Sequence, residues 1–313
     1  MTTARTQDYP AVRIGALGKP APWSWASNEP AQGVFRWGIL DASVADASDH
    51  GIDYLFDIGE TPSCAARDPS SCTTKTQFTM CTSPPTNIQD WNDYLTTIAA
   101  RYKGRIRYYE VWNEPNTSQF WSGNYADMVQ LARSAYGIIK SIDPDAHVLT
   151  PAPTGSVHPV PAGSGFSASA TDWMAAYLKA GGDQLADVGA WHGYIGNGDA
   201  TIFPMPEQEA TTGCRPSSCF GSIASRAQLM RTTFDASAMA GKPRFDTEGS
   251  WGITTNLDAA TNPAGLPAGT CYRRAASQLT ICSVFTGLPG AVPSLASRGA
   301  PSRTAAALQT PQA

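Results

Sequence analysis

The stretch RYYEVWNEPNTS, Arg107 to Ser118, opens as an apolar strand and closes on Trp112, Asn113 and Glu114, where Pro115 stops it. Proline has no N–H to give a ladder and bends the chain away, so the amide and the carboxylate are left at a strand tip. An ionisable group there is either paired structurally or exposed for chemistry. The surroundings of this tip therefore decide both fold and function.

Working outward, strand-like and helix-like runs alternate. AVRIGAL (11–17), IDYLFDIG (52–59), HVLTPAP (147–153), DVGAWHGY (187–194) and PRFDTEGSWG (243–252) read as further strands. Between them, WGILDASVADASDHG places Leu40, Val44 and Ala47 on one helical face and ends at Gly51, a suitable C-cap. IQDWNDYLTTIAARYKG repeats Trp91, Leu95, Ile98 and Tyr102, and YADMVQLARSAYGIIKSID repeats Met128, Leu131, Ala135, Ile138 and Ile142. TDWMAAYLKAGG is expected to start at Thr171 as N-cap and stop at Gly181; SIASRAQLMRTTFDASAMAGK is the last helix.

Six strands separated by helices imply a parallel sheet with right-handed crossovers. A doubly wound sheet and a closed (β/α)8 TIM barrel both fit that pattern. The tips favour the barrel. Glu60, Asn113 with Glu114, His192 with Tyr194, and Glu248 with Trp251 all end strands, and barrels gather their chemistry from several strand ends. A dinucleotide-binding sheet would carry G-x-G-x-x-G after its first strand, and this chain has none, which also argues against a nucleotide-dependent oxidoreductase.

Composition excludes other classes. The net charge of −4 provides no basic stripe for nucleic acid, and no apolar run approaches the ~18 residues of a membrane span. MTTARTQDYP lacks the apolar core of a signal peptide. Cys64, Cys72 and Cys81 share one loop, and Cys214 and Cys219 another. Loop disulfides of an exported protein are the expectation, with free thiols the alternative. The histidines (His50, His147, His158, His192) are too dispersed for a local zinc pair, and there is no C-x-x-C.

Glu114 and Glu248 stand out because each ends a strand, comes after a polar neighbour and precedes a chain-turning residue, Pro115 or Gly249. A lone glutamate of this kind usually caps a helix or pairs with an arginine. Two facing carboxylates can instead cleave a glycosidic bond, one protonating the leaving oxygen while the other attacks the anomeric carbon. Asp246 and Glu110 lie two and four residues before these glutamates. Strand alternation puts them on the same faces, as buried partners for an arginine. Asn116-Thr117-Ser118 is a glycosylation sequon, but a glycan there would block the cleft.

YYEVWNEPN and FDTEGSWG resemble the acid/base and nucleophile signatures of clan A glycoside hydrolases. WASNEPAQGVFRWGILD and GETPS narrow the resemblance to family 39, the β-xylosidase family, over roughly residues 11–257. The resemblance implies a TIM barrel and a retaining hydrolase of β-linked oligo- or polysaccharides, acting outside the cell without cofactor or metal. It implies Glu114 as general acid/base on strand four, Asn113 on the sugar 2-hydroxyl, and Glu248 as nucleophile on strand seven. His192 and Tyr194 match strand-six contacts to sugar and nucleophile, and Trp251 matches part of the subsite wall.

The pattern breaks at both ends. By this count AVRIGAL is strand two, with too few residues before it for a β–α unit, and its end reads GALGKPAPW where the family carries an arginine. The tryptophan that comes after T-P in the family is Cys64 here. After Asp258 there is no acidic residue but there are four arginines (273, 274, 298 and 303), and the aromatic strand eight is absent. We read residues 1–257 as the catalytic barrel and 258–313 as an atypical tail produced by a change of reading frame, with a basic Ala/Ser/Pro-rich linker as the alternative. An incomplete barrel leaves a second reading open: a non-catalytic carbohydrate-binding or inactive truncated form.

Overall fold

The structure, a computed structural model, describes residues 11–13, 24–74, 79–155, 160, 162–193, 223–248, 272–273 and 280–281; for 11–13, 223–225, 272–273 and 280–281 it describes the backbone alone. In chain order the elements are β1 (Ala11–Arg13), α1 (Trp25–Asn28), α2 (Gly38–Asp49), β2 (Asp53–Asp57), β3 (Thr61–Pro62), β4 (Cys72–Thr74), β5 (Thr79–Cys81), α3 (Ile88–Arg101), β6 (Tyr108–Glu110), α4 (Tyr125–Ile142), β7 (His147–Leu149), α5 (Ala170–Lys179), β8 (Gly189–His192), α6 (Ile223–Asp235) and β9 (Arg244–Glu248). All six expected strands and all five expected helices are present.

Strand order separates the two candidate folds. β1, β2, β6 and β7 pair in that order, all parallel, and β8 pairs parallel with β9. A parallel bridge from Leu149 to Val188 and the bond from Thr150 N–H to Val188 C=O (3.0 Å) join β7 to β8. Apart from β3–β5, which form a sheet of their own, each parallel strand thus neighbours the next one in the chain, as in a barrel wall; a doubly wound sheet reverses its strand order part-way. The expected absence of strands one and eight concerns residues 1–10 and 249–313, outside the described residues except for 272–273 and 280–281. Those two segments pair antiparallel with each other as β10 and β11. Among the described residues, Thr280–Ile281 pairs with Tyr272–Arg273 and not with a strand of the barrel wall.

Alternation along the strands creates two apolar layers. Leu55, Leu149, Val188, Ala190 and Phe245 form the inner cluster. Tyr54, Phe56, Tyr109, Val148 and Trp191 point the other way and pack under the helices. On that side α3 presents Trp91, Tyr94, Leu95, Ile98 and Ala99, and α4 presents Met128, Leu131, Ala132, Ala135 and Ile139. The α4 stripe drifts from the expected one: Ile139 is buried, whereas Ile138 and Ile142 are only half-buried. A 3.6-residue period rotates the buried face over the 18 residues of this helix.

Helix ends obey local chemistry. Asn124 and Asp127 close a capping box on α4, and Asn87 caps α3 through Gln89 N–H. The cap of α5 is Ser169, not Thr171. Its hydroxyl accepts from Asp172 N–H, so the helix starts two residues earlier than its apolar pattern suggests.

The segment after β2, expected to be a long loop, contains a three-stranded antiparallel sheet of order β3-β5-β4. Cys72 and Cys81 face each other across it and form a disulfide, while Cys64 is free and exposed. Cys214, Cys219, Cys271 and Cys282 lie outside the described residues.

Candidate active site

The chain beyond β6 builds the first half of the site. Asn113 bridges to Ala152, and Glu114 N–H donates to Ala152 C=O at 3.0 Å, so the tip stays paired to the neighbouring strand's extension. Glu114 then takes a left-handed backbone conformation (φ 41°), one that a non-glycine residue adopts at a cost of about 1 kcal/mol or more. Glu60, at the tip after β2, does the same (φ 64°) and is buried. Trp112 beside the tip is a core residue. It packs edge-on against Trp121, its centroid 4.8 Å away, and donates from Nε1 to Phe120 C=O.

Asn116 anchors the turn after Pro115. Its amide donates to Thr154 C=O (2.8 Å) and Ala168 C=O (3.2 Å), and accepts from Thr154 N–H (2.9 Å). The side chain is fully buried. The sequon is thus closed to glycosylation, by burial rather than by its nearness to the cleft.

The second half comes from β8 and β9. His192 is completely buried, and its Nδ1 lies 3.0 Å from Glu114 Oε1 and 3.6 Å from Glu248 Oε2. One oxygen from each glutamate and a ring nitrogen of His192 lie within 4.8 Å of one another. On the far side of the ring, Nε2 is 3.8 Å from Glu110 Oε1, and Glu110 is also completely buried. Burial disfavours charge on the ring, but Glu248, Glu110 and Glu114 together outweigh it and push His192 up to about 10. The three carboxylates thus favour the protonated ring. Glu114 and Glu248 retain some exposure, at 16% and 11% of their side-chain surface.

Two expectations need correcting. Glu110 faces His192, where the sequence suggests an arginine. Asp246 does have its arginine, Arg226 of α6, but not on the face of Glu248. A register shift lies between the pairs Trp191–Asp246 and His192–Glu248, so β9 carries one extra residue, Thr247, at that point. Such a bulge reverses the facing of everything beyond it. Asp246 lies alongside Trp191 on the helix side, and Glu248 alongside His192 on the inner side.

Arg226 gives no sequence signal, lying in a helix of polar surface residues. Its guanidinium donates to Gly155 C=O (2.7 Å) and His192 C=O (3.1 Å) and lies over the Trp191 ring. Burial lowers Arg226 to about 10 despite Asp246, and burial raises Asp246 to about 7 despite Arg226 and His192. Asp246 Oδ1 accepts from Gly193 N–H at 2.8 Å, and a Cβ at Gly193 would lie 2.0 Å from Asp246 Oδ2. Glycine is thus required there by close approach.

Of the expected site residues, Glu114, His192 and Glu248 are brought together, with Asn113 half-buried beside Glu114. Tyr194 and Trp251 lie outside the described residues. Glu114, His192 and Glu248 are also the residues that would have to hold a metal ion. His192 Nδ1 already lies at hydrogen-bond distance from Glu114 Oε1, an arrangement that suits a hydrogen-bonded cluster.

No family model matches the chain. It is 32% identical over 128 residues to a β-xylosidase of Caldicellulosiruptor saccharolyticus, covering 37% of this chain and 26% of that one. A monomeric β-xylosidase from Caulobacter crescentus CB15 superposes with a TM-score of 0.52 at 23% identity, over 71% of this chain and 42% of that one. A family 39 glycoside hydrolase from Bacteroides cellulosilyticus WH2 gives 0.53 at 19% identity, over 81% and 46%. The family 39 enzyme from Xanthomonas axonopodis pv. citri gives 0.50 at 24% identity, over 71% and 41%. The chain thus spans less than half the length of these relatives. The structures share its fold, and its resemblance to family 39 holds over part of its length.

Proposed function

We propose that this chain is a retaining glycoside hydrolase acting on β-linked saccharides, with β-xylosides as the leading substrate class. The observation that carries this reading is the approach of Glu114 and Glu248 oxygens to within 4.8 Å of each other around the shared His192 ring. Inverting enzymes hold their carboxyl groups about 6.5–9.5 Å apart to admit a water between them; retaining ones hold them about 5–5.5 Å apart.

The reaction proceeds in two displacements. Glu248 attacks the anomeric carbon as the glycosidic C–O bond breaks, and protonated Glu114 gives its proton to the leaving oxygen. Glu114, now a carboxylate, takes a proton from water, whose oxygen displaces Glu248 and restores both groups. Asn113 is assigned to the 2-hydroxyl, and Tyr194 and Trp251 to the sugar ring. His192 orients the pair and offsets their repulsion. Residues 1–257 are assigned as the catalytic unit. A setting outside the cell suits the Cys72–Cys81 disulfide.

The experiment is turnover of a panel of aryl β-glycosides (xyloside, glucoside, arabinoside) by the full chain. Hydrolysis with net retention at the anomeric carbon is expected, fastest on the xyloside. Binding of xylo-oligosaccharides without turnover would replace this reading with a non-catalytic carbohydrate-binding one.

A further inference from the structure

His192 meets carboxylates on both sides of its ring. Nδ1 faces Glu114 and Glu248, while Nε2 faces Glu110 Oε1 at 3.8 Å, beyond hydrogen-bond length but well within Coulombic reach in a site sealed from solvent. We propose that Glu110 is a positioning residue for the two-glutamate reaction: from behind the ring it holds His192 doubly protonated, so that Nδ1 remains a charged donor between Glu114 and Glu248. The proposal rests on the glycosidase reading above.

Proton count decides the state of the ring. A neutral imidazole has one N–H and one lone pair, so with carboxylates on both nitrogens one of them would always meet a lone pair. With Glu248 and Glu110 both ionised, only the imidazolium suits both sides. Burial works against that charge, and the carboxylates must overcome it. The other charges near the ring come from β9 and α6. Asp246 adds attraction, and Arg226, bonded to His192 C=O, opposes a second cation. Glu114 must give up and regain its proton in each cycle, and Glu248 is covalently occupied for part of it. Glu110 is the one carboxyl of the three that takes no part in the proton and glycosyl transfers.

Replacing that carboxyl by an amide should make the ring easier to deprotonate. Its cation would then be lost within the working pH range, and with it the compensation that lets two carboxylates sit close together. Turnover should then fall on the alkaline side, through kcat more than KM.

The test uses the full chain, labelled with 15N-histidine, as wild type, Glu110→Gln and Glu110→Asp. With four histidines in the chain, His192→Asn assigns the signal. In wild type the His192 signals should stay those of an imidazolium up to about pH 9. In Glu110→Gln proton affinity should fall about tenfold or more, and kcat should decline with pH along the same curve. Glu110→Asp, which keeps the charge, should restore much of both. An unchanged His192 titration in Glu110→Gln would overturn the proposal, as would equal activity losses in both variants at every pH. Should the glutamine variant fail to fold, the wild type decides: titration near the ordinary value overturns the idea, and persistence of the charge supports it. An inactive wild type with the expected 15N curves would defeat the glycosidase reading alone, leaving Glu110's hold on the ring supported.

Discussion

Asp246 and Glu248 lie two residues apart on β9 and face opposite sides of it. Asp246 stands with Trp191 and Arg226 under α6, and Glu248 stands with His192 at the inner site. Their substitutions should therefore separate. Glu248→Ala should abolish turnover while the fold survives. Asp246→Asn should act mainly on stability, leaving a buried Arg226 with an amide beside it, at about 1–3 kcal/mol. Urea unfolding and aryl-glycoside assays on both variants check this; a fully active Glu248→Ala would end its assignment as nucleophile.

Glu114→Ala should be slowed according to the leaving group. A general acid contributes about 10²–10⁴-fold, and an activated aryl group needs little of it. On such a substrate the second step becomes limiting, and added azide, which attacks without a base, should restore turnover and yield the glycosyl azide. Equal impairment on good and poor leaving groups would remove Glu114 from its role.

Stability should fall with rising pH. His192 is raised from 6.5 to about 10 in the folded chain, so it binds its proton more tightly folded than unfolded. Its contribution is fully present below about 6.5 and is lost as pH climbs through about 10. Asp246, raised from 3.8 to about 7, loses its own contribution as pH climbs from about 3.8 through about 7. Asp41, held low by Arg101, works in the opposite sense and only on the acid side. The unfolding free energy from urea titration should decline between about pH 6.5 and about pH 10, by at most about 1.4 kcal/mol per pH unit from this one group. A flat profile across that window would contradict the charged ring.

Asn116→Ala should destabilise the chain by about 2–5 kcal/mol, because Thr154 N–H, Thr154 C=O and Ala168 C=O would lose their partner in a buried setting. Denaturant titration measures it, and a change under about 1 kcal/mol would mean water replaces the amide. For the same reason, expression in a glycosylating host should leave the chain's mass unchanged at this sequon.

The fold is readable because its signals are local and repeated. Leu40, Val44 and Ala47, or Trp91, Leu95 and Ile98, mark a buried helical face whatever the rest of the chain does. The two glutamates are readable because a chain-turning residue, Pro115 or Gly249, comes directly after each in the sequence. The features that escape depend on contacts distant in sequence. Nothing near Arg226 says that its helix lays it over Trp191. Nothing around Glu110 says that a histidine 82 positions later, rather than an arginine, will stand in front of it. Period-two alternation gives the wrong side for Asp246 because Thr247 bulges. The cap of α5 is ambiguous because Ser169 and Thr171 carry the same hydroxyl chemistry, and only geometry chooses between them.

The left-handed backbone at Glu114 bears on how the chain would respond to selection. Glycine tolerates φ of 41° freely, whereas alanine does not, so Glu114→Gly should outlast Glu114→Ala by about 1 kcal/mol. Neither retains a carboxyl. A variant library sorted only for folding or heat resistance would therefore drift toward glycine at position 114, enriching molecules that survive and do nothing. Screens on this scaffold need a turnover step in every round, because at this residue robustness and catalysis pull in opposite directions.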